Sequence, residues 1–279
     1  MDSERSPEAR ELAERALVWI IHELGERCEG IVVLGGLVPA TLVEKSSTVP
    51  QHLGTTDVDV HIDFGVSLGS HLVAVERALV RLGFSPTQDG WRWTGPVSGT
   101  SVRIEFLCEL DDQAAGVTVR PPGCDRLCAV NLRGTGFVTQ DYVLRRVAGV
   151  LPSGREVTVE LAFANIGGFL LAKAVALRER AEEKDYYDFT YVLLFNRLGG
   201  PAGAARWIRE QGLSLPKANV WAEVEARFHD SNSSGPRGYA SQARQVSPEA
   251  DPAVLKQDAL SAVQEFLWEL GVARRTSGD

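Results

Sequence analysis

From Asp57 to Phe64 the chain alternates without a break: Val58, Val60, Ile62 and Phe64 fall to one side, Asp57, Asp59, His61 and Asp63 to the other. A period of two fits a strand and not a helix, so this stretch predicts a sheet with one apolar face and one face crowded with acids. The segments around it supply partners. Ile31 to Leu34 is a short apolar run ending at Gly35-Gly36, which reads as a buried strand turning into a helix near Leu37 to Glu44, with Pro39 in its first turn. Further on, Trp91 to Thr94 and Val102 to Cys108 read as strands; in the second, Val102, Ile104 and Phe106 form the apolar face and Arg103 and Glu105 the polar one.

Helices frame these strands. Ser6 is a candidate N-cap followed by Pro7 and Glu8, and Gly25 closes the run after Trp19, Ile20 and Ile21. A second helix is expected from about Ser70 to Leu82, ended by Gly83. The order strand, helix, strand, helix, strands gives a mixed α/β domain, here assigned to residues 1–135. After residue 136 the texture changes. Tyr142 to Val159 reads as a hairpin around Pro152-Ser153-Gly154, and periodic apolar stretches at Ala164 to Arg180, Asp185 to Leu198 and Pro252 to Val272 make residues 136–279 a mainly helical domain. The Ser, Gly and Pro content of residues 228–251 predicts a mobile loop. The fold class is therefore α+β.

With 279 residues, 44% of them hydrophobic, the chain has enough apolar material for one large core or two smaller ones, which excludes disordered and fibrous classes. A net charge of −8 repels a polyphosphate as a whole, so any nucleic-acid contact must come from a local basic patch. No stretch approaches the roughly 18 apolar residues of a membrane span, and no basic segment leads into an apolar one; a cytoplasmic protein is expected, with no membrane partner. Cys28, Cys108, Cys124 and Cys128 are too few and scattered for a disulfide framework, and Cys124 and Cys128 lack a second Cys/His pair at zinc-ligand spacing.

Two carboxylates at i and i+2 of a strand lie about 7 Å apart on one face, close enough to share divalent cations. Glu105, on the polar face of a strand that can pair alongside, is the natural third acid. The same alternation also describes an ordinary half-exposed strand with solvated acids, and Gly35-Gly36 is either a tight strand-to-helix turn or a backbone opening for a phosphate at a helix start.

Strand, Gly-Gly, helix, "GTTDVD" (Gly54 to Asp59) and a later "RIEFL" (Arg103 to Leu107) together resemble the active-site module of the DNA polymerase β superfamily of nucleotidyltransferases. The resemblance implies a polymerase β-like core in which Gly35, Gly36 and Thr56 meet the nucleotide and Asp57, Asp59 and Glu105 hold Mg²⁺ or Mn²⁺. Many members of that superfamily carry aspartate where this chain has Glu105. In the helical half, "LAKAVALRERAEEKDYYDFTYVLL" (Leu171 to Leu194) is similar to the Lys…Arg…Lys-Asp-x-x-Asp signature of AbiEii-like nucleotidyltransferase toxins of type IV toxin–antitoxin systems. That similarity implies Lys173 as the cation on the triphosphate, Asp185 and Asp188 as members of an essential helical motif, an NTP substrate, the tRNA 3′ end or another RNA as acceptor, and a cognate antitoxin as partner. Together the two matches cover about Ile31 to Leu194.

Other accounts stay open for the same residues. Lys173 also fits a lysine snorkelling from a packed helix, and Asp185 and Asp188 fit a capping box, with Lys184 and Asp188 as an i,i+4 pair. Tyr186, Tyr187 and Tyr191 are core residues or base-stacking platforms. Arg145, Arg146 and Arg155 on the hairpin, with Arg178, Arg180 and Lys184, are candidates for a local basic patch, Arg145, Arg146 and Arg178 being those assigned to RNA contact, against scattered solvated charge. None of His22, His52, His61, His71 and His229 has triad or metal spacing. A protein hydroxyl as acceptor, and a non-catalytic nucleotide-sensing or partner-binding module of the same fold, are the competing functions.

Overall fold

The structure is a computed structural model that describes residues 5–25, 28–44, 46–66 and 69–272. Its first half runs α1 (Pro7–Leu24), β1 (Ile31–Leu34), a 3₁₀ turn (Gly35–Leu37), α2 (Pro39–Leu42), β2 (Asp57–Ile62), α3 (Gly69–Arg81), β3 (Ser85–Pro86), β4 (Arg92–Val97), β5 (Thr100–Cys108), β6 (Thr118–Val119) and β7 (Ala129–Asn131). There follow α4 (Phe137–Gln140), β8 (Tyr142–Val150), β9 (Glu156–Ala164), α5 (Ile166–Glu179), α6 (Glu183–Phe195), α7 (Gly200–Glu210), α8 (Ala218–Arg227), α9 (Ser234–Val246) and α10 (Pro252–Leu270). A mixed sheet of nine strands is thus followed by a mainly helical region, an α+β fold. Among the described residues no helix is long and apolar enough to cross a membrane.

The chain forms two compact units, Met1–Val38 with Gly54–Ala164, and Pro39–Leu53 with Asn165–Asp279. In the first, the sheet order is β3-β4-β5-β2-β1-β9-β8, with β7 beside the end of β5 and β6 beside β7. Helix α1 begins as its sequence dictates: the Ser6 hydroxyl accepts from the Ala9 N–H at 3.1 Å, Pro7 opens the helix, and Gly25 ends it at φ +61°. Its apolar stripe of Leu17, Ile20, Ile21 and Leu24 meets Val58, Val60, Ile104 and Phe106 in one core, joined by Val75 of α3. Because those residues take one side of β2 and β5, the alternating acids must emerge on the other.

Three expectations need correction. First, the division falls after Ala164 and not near residue 136: β9 pairs in parallel with β1 through Val32↔Ala162 and Val33↔Phe163, which ties the whole β8–β9 hairpin to the sheet. Second, no long helix follows Gly35-Gly36. A three-residue 3₁₀ turn and the four-residue α2 take its place, too short for an appreciable helix dipole.

Third, much of residues 228–251 is the helix α9 and not a loop. Gly235 and Gly238 look like loop formers, yet a Cβ at Gly235 would lie 2.5 Å from the Phe228 ring and one at Gly238 would lie 2.7 Å from the Tyr186 ring. These glycines bring α9 close to aromatic neighbours, and Pro236 is tolerated in its first turn. In the same unit, residues 39–53 are tied to α6 and its C-terminal flank: Tyr187 Oη accepts from the Leu53 N–H at 3.1 Å, Tyr191 Oη donates to the Pro50 carbonyl at 2.9 Å, and Val43 bridges to Asn196.

Candidate metal centre

Strands β2 and β5 run parallel with Asp59 opposite Glu105 and Asp57 opposite Arg103. The i,i+2 spacing on β2 and the cross-strand register therefore put three carboxylates on one patch of the sheet. One ligand oxygen from each of Asp57, Asp59 and Glu105 lies within 4.8 Å of the others, and all three residues are half-buried. Glu105, the least expected of the three by its side-chain type, sits in the register that the cluster requires.

The surroundings hold these side chains. Thr55 Oγ1 donates to Asp57 Oδ1 at 2.7 Å, and Thr55 is only 3% exposed. Gly35 adopts φ +68°, and a Cβ there would lie 2.6 Å from Cγ of Asp59; a Cβ on Gly36 would lie 2.6 Å from Cβ of Thr55. The glycine pair thus leaves room for the threonine and aspartate of the "GTTDVD" segment. Thr56, half-buried, lies between Thr55 and Asp57.

Arg92 of β4 lies opposite Glu105 in the antiparallel β4–β5 register and donates from Nε to Glu105 Oε1 at 2.8 Å. Its guanidinium also lies 3.9 Å from the centroid of the Trp91 ring. Neither Thr55 nor Arg92 was singled out by sequence. A signal for Arg92 exists: the two-residue turn Ser98-Gly99, with φ +51° and +84°, fixes the hairpin, and counting back from Val97↔Thr100 puts Arg92 against Glu105.

His61 follows Asp59 on the same face of β2 but is 3% exposed, and burial pushes its imidazole down to about 4 against a smaller opposing effect of Asp63. It is a neutral core histidine at pH 7, outside the acidic group.

The helical candidates assemble in the second unit. Lys173 Nζ donates to Asp185 Oδ1 and to Asp188 Oδ2, both at 2.9 Å, Arg180 donates to both oxygens of Asp185 at 2.7 and 2.9 Å, and His52 Nε2 lies 3.1 Å from Asp188 Oδ1. All but Arg180 are buried. Burial alone would raise the Asp185 carboxyl, but Lys173 and Arg180 outweigh it and hold the group well below the usual carboxylate range. For Lys173 burial opposes the charge, yet Asp185 and Asp188 keep its ammonium above its ordinary value. Neither aspartate serves as a cap: α6 begins at Glu183 after the N-cap residue Glu182, with no side-chain cap, and Lys184 pairs with Glu182 at 3.2 Å and not with Asp188. Tyr186, Tyr187 and Tyr191 are buried at 3%, 1% and 2% exposure, so they are core residues.

The arginines expected to meet RNA are placed as follows. Arg145 and Arg146 are consecutive on β8 and therefore project to opposite faces, Arg145 half-buried and Arg146 exposed. Arg178 lies on α5 in the second unit, ion-paired with Glu179. The cysteines are free thiols; burial pushes Cys108 up to about 12 and Cys28 and Cys124 up to about 11, which suppresses the thiolate.

Compared with family models, curated proteins and solved structures, the chain matches none.

Proposed function

We propose that the protein is a metal-dependent nucleotidyltransferase that moves a nucleoside monophosphate from an NTP to an acceptor hydroxyl. The observation that carries this reading is the convergence of Asp57, Asp59 and Glu105 to within 4.8 Å beside Gly35. Three carboxylates with oxygen-only donors suit a hard divalent cation, Mg²⁺ or Mn²⁺. Bound there, the cation would supply Lewis-acid stabilisation of the attacking oxygen and of charge on the leaving pyrophosphate. Thr55 fixes the rotamer of Asp57, and Gly35 gives Asp59 the space to turn toward its partners. The turn at Gly35 and Gly36, with Thr56, is assigned to the nucleotide by the superfamily resemblance. Lys173 and Asp185, assigned to the nucleotide on the same ground, and Asp188, assigned to catalysis, belong to the buried ion network of the second unit.

The AbiEii-like resemblance extends the proposal to the acceptor and the biology: the tRNA 3′ end as acceptor, and a toxin restrained by a cognate antitoxin. Incubation with each labelled NTP, Mg²⁺ and total RNA tests the reaction. Label on RNA, lost in an Asp57→Asn/Asp59→Asn double variant, is the expected result. Full transfer by that variant overturns the mechanism, label on polypeptide replaces the acceptor, and no transfer with any NTP favours a non-catalytic module. Expression alone should arrest growth, and normal growth with abundant folded protein removes the toxin assignment.

A further inference from the structure

We infer that Arg92 is a positioning residue that competes with the divalent cation for Glu105. The inference rests on the proposed metal site. It starts from electrostatics: three half-buried carboxylates whose ligand oxygens approach within 4.8 Å repel one another, Arg103 lies opposite Asp57 in the β2–β5 register, and Arg92 donates to the third carboxylate at 2.8 Å. Glu105 is 14% exposed by side chain and Arg92 44%. The carboxylate is thus fixed in the sheet, while the arginine reaches it from a more open position and rests on the Trp91 ring.

A cation in the cluster and a guanidinium on Glu105 Oε1 draw on the same negative charge. With Arg92 paired to it, Glu105 is held in register and the acids are partly neutralised; a bound divalent ion takes over that neutralisation and repels the arginine. Arg92 therefore does two things of opposite sign. It supports the site without metal, and it raises the metal concentration needed to fill it. The guanidinium already rests on the Trp91 ring, a contact that persists when its hydrogen bond to Glu105 is given up, so the exchange requires no unfolding of β4.

The test is Mn²⁺ affinity, measured by calorimetry and by paramagnetic relaxation of water protons, on the full chain and two variants. Arg92→Gln should bind Mn²⁺ more tightly than wild type, on the order of fivefold at low salt and less at high salt, because one nearby positive charge is gone and its effect is screened. Arg92→Lys, which keeps the charge, should stay close to wild type. In an Asp57→Asn background the gain from Arg92→Gln should shrink, since the ion has lost a ligand. Without metal, Arg92→Gln should melt lower than wild type, and saturating Mn²⁺ should close that gap. A residue that merely orients Glu105 for ligation predicts the opposite sign, weaker Mn²⁺ binding in Arg92→Gln; that result, or unchanged affinity, overturns the inference while leaving the metal site standing. Should Arg92→Gln fail to fold, Arg92→Lys decides: a tightening as large as fivefold with charge retained overturns competition by charge, and wild-type affinity supports it. Absence of Asp57-dependent Mn²⁺ binding in wild type as well as the variants overturns both readings.

Discussion

Gly35 and Asp59 occupy each other's space: the Cβ that any other residue would place at position 35 falls 2.6 Å from Cγ of Asp59 and overlaps its carboxylate. The backbone of Gly35 is also left-handed, at φ +68°. Position 35 therefore answers to two demands at once, a conformation that L side chains rarely adopt and a void that the carboxylate fills.

Gly35→Ala should consequently damage the site and the fold together. The left-handed conformation costs about 1 kcal/mol, and the overlap drives Asp59 out of its rotamer or moves β1, for a total of roughly 2–4 kcal/mol. Urea denaturation should show that loss, and Mn²⁺ titration should show weakened binding even at temperatures where the variant is fully folded. A fully stable Gly35→Ala that binds metal as wild type does would mean that Asp59 does not depend on this gap.

Asp57→Asn should separate stability from function. Asparagine can still accept from Thr55 Oγ1, so the hydrogen bond at 2.7 Å survives, while one of three mutually repelling charges disappears. Without metal the variant should be as stable as wild type or more stable, by up to about 1 kcal/mol. The rise in melting temperature with Mg²⁺ and NTP should largely vanish. A drop in metal-free stability above about 1 kcal/mol would show that the charge of Asp57 is needed for folding, contrary to a cluster kept for cation binding.

Where the sequence was legible, a local signal and the tertiary environment agreed. Ser6, Pro7 and Gly25 bound α1 by capping chemistry that needs no partner, and the alternation of Asp57 to Val60 declares both faces of β2, although His61 on the acid side is buried. The Asp59↔Glu105 register was reachable by matching polar faces. What escaped was decided across long separations. The pairing of β9 with β1 moves the unit boundary by almost thirty positions from about 136 to 164, and no periodicity reports which edge a hairpin will join. Arg145 and Arg146 are neighbours in sequence, and their strand turns them to opposite faces.

The glycines of α9 were misread because their purpose lies in the residues they touch. Gly235→Ala and Gly238→Ala should each cost roughly 1–3 kcal/mol, even though alanine favours helix by about 1 kcal/mol, because the added methyl must displace the Phe228 or Tyr186 ring. Truncating the ring should rescue in part: Gly235→Ala combined with Phe228→Leu should be less destabilised than the sum of the two changes. Stabilisation by either single alanine, read by thermal melts, would show that the helix and its aromatic neighbours have slack, and that propensity governs here.

The buried network around Lys173 carries the clearest pH dependence. Asp185 has a folded-state pKa depressed below its unfolded value, so its contribution is present above about pH 4 and is lost as pH falls further. Lys173 has a raised folded-state pKa, so its contribution is present below about pH 10 and is lost as pH climbs beyond. Between those limits the two carboxylates are balanced by Lys173 and Arg180. Lys173→Met leaves Asp185 with Arg180 and Asp188 with His52, one formal positive charge short, and should cost on the order of 3–5 kcal/mol at neutral pH. The deficit should shrink as pH falls toward 4, because protonating a carboxylate removes the uncompensated charge. Stability measured by urea denaturation from pH 4 to 8 for wild type and Lys173→Met checks this. A deficit that is small at neutral pH, or that widens in acid, would show that Lys173 is not the cation that stabilises the buried aspartates.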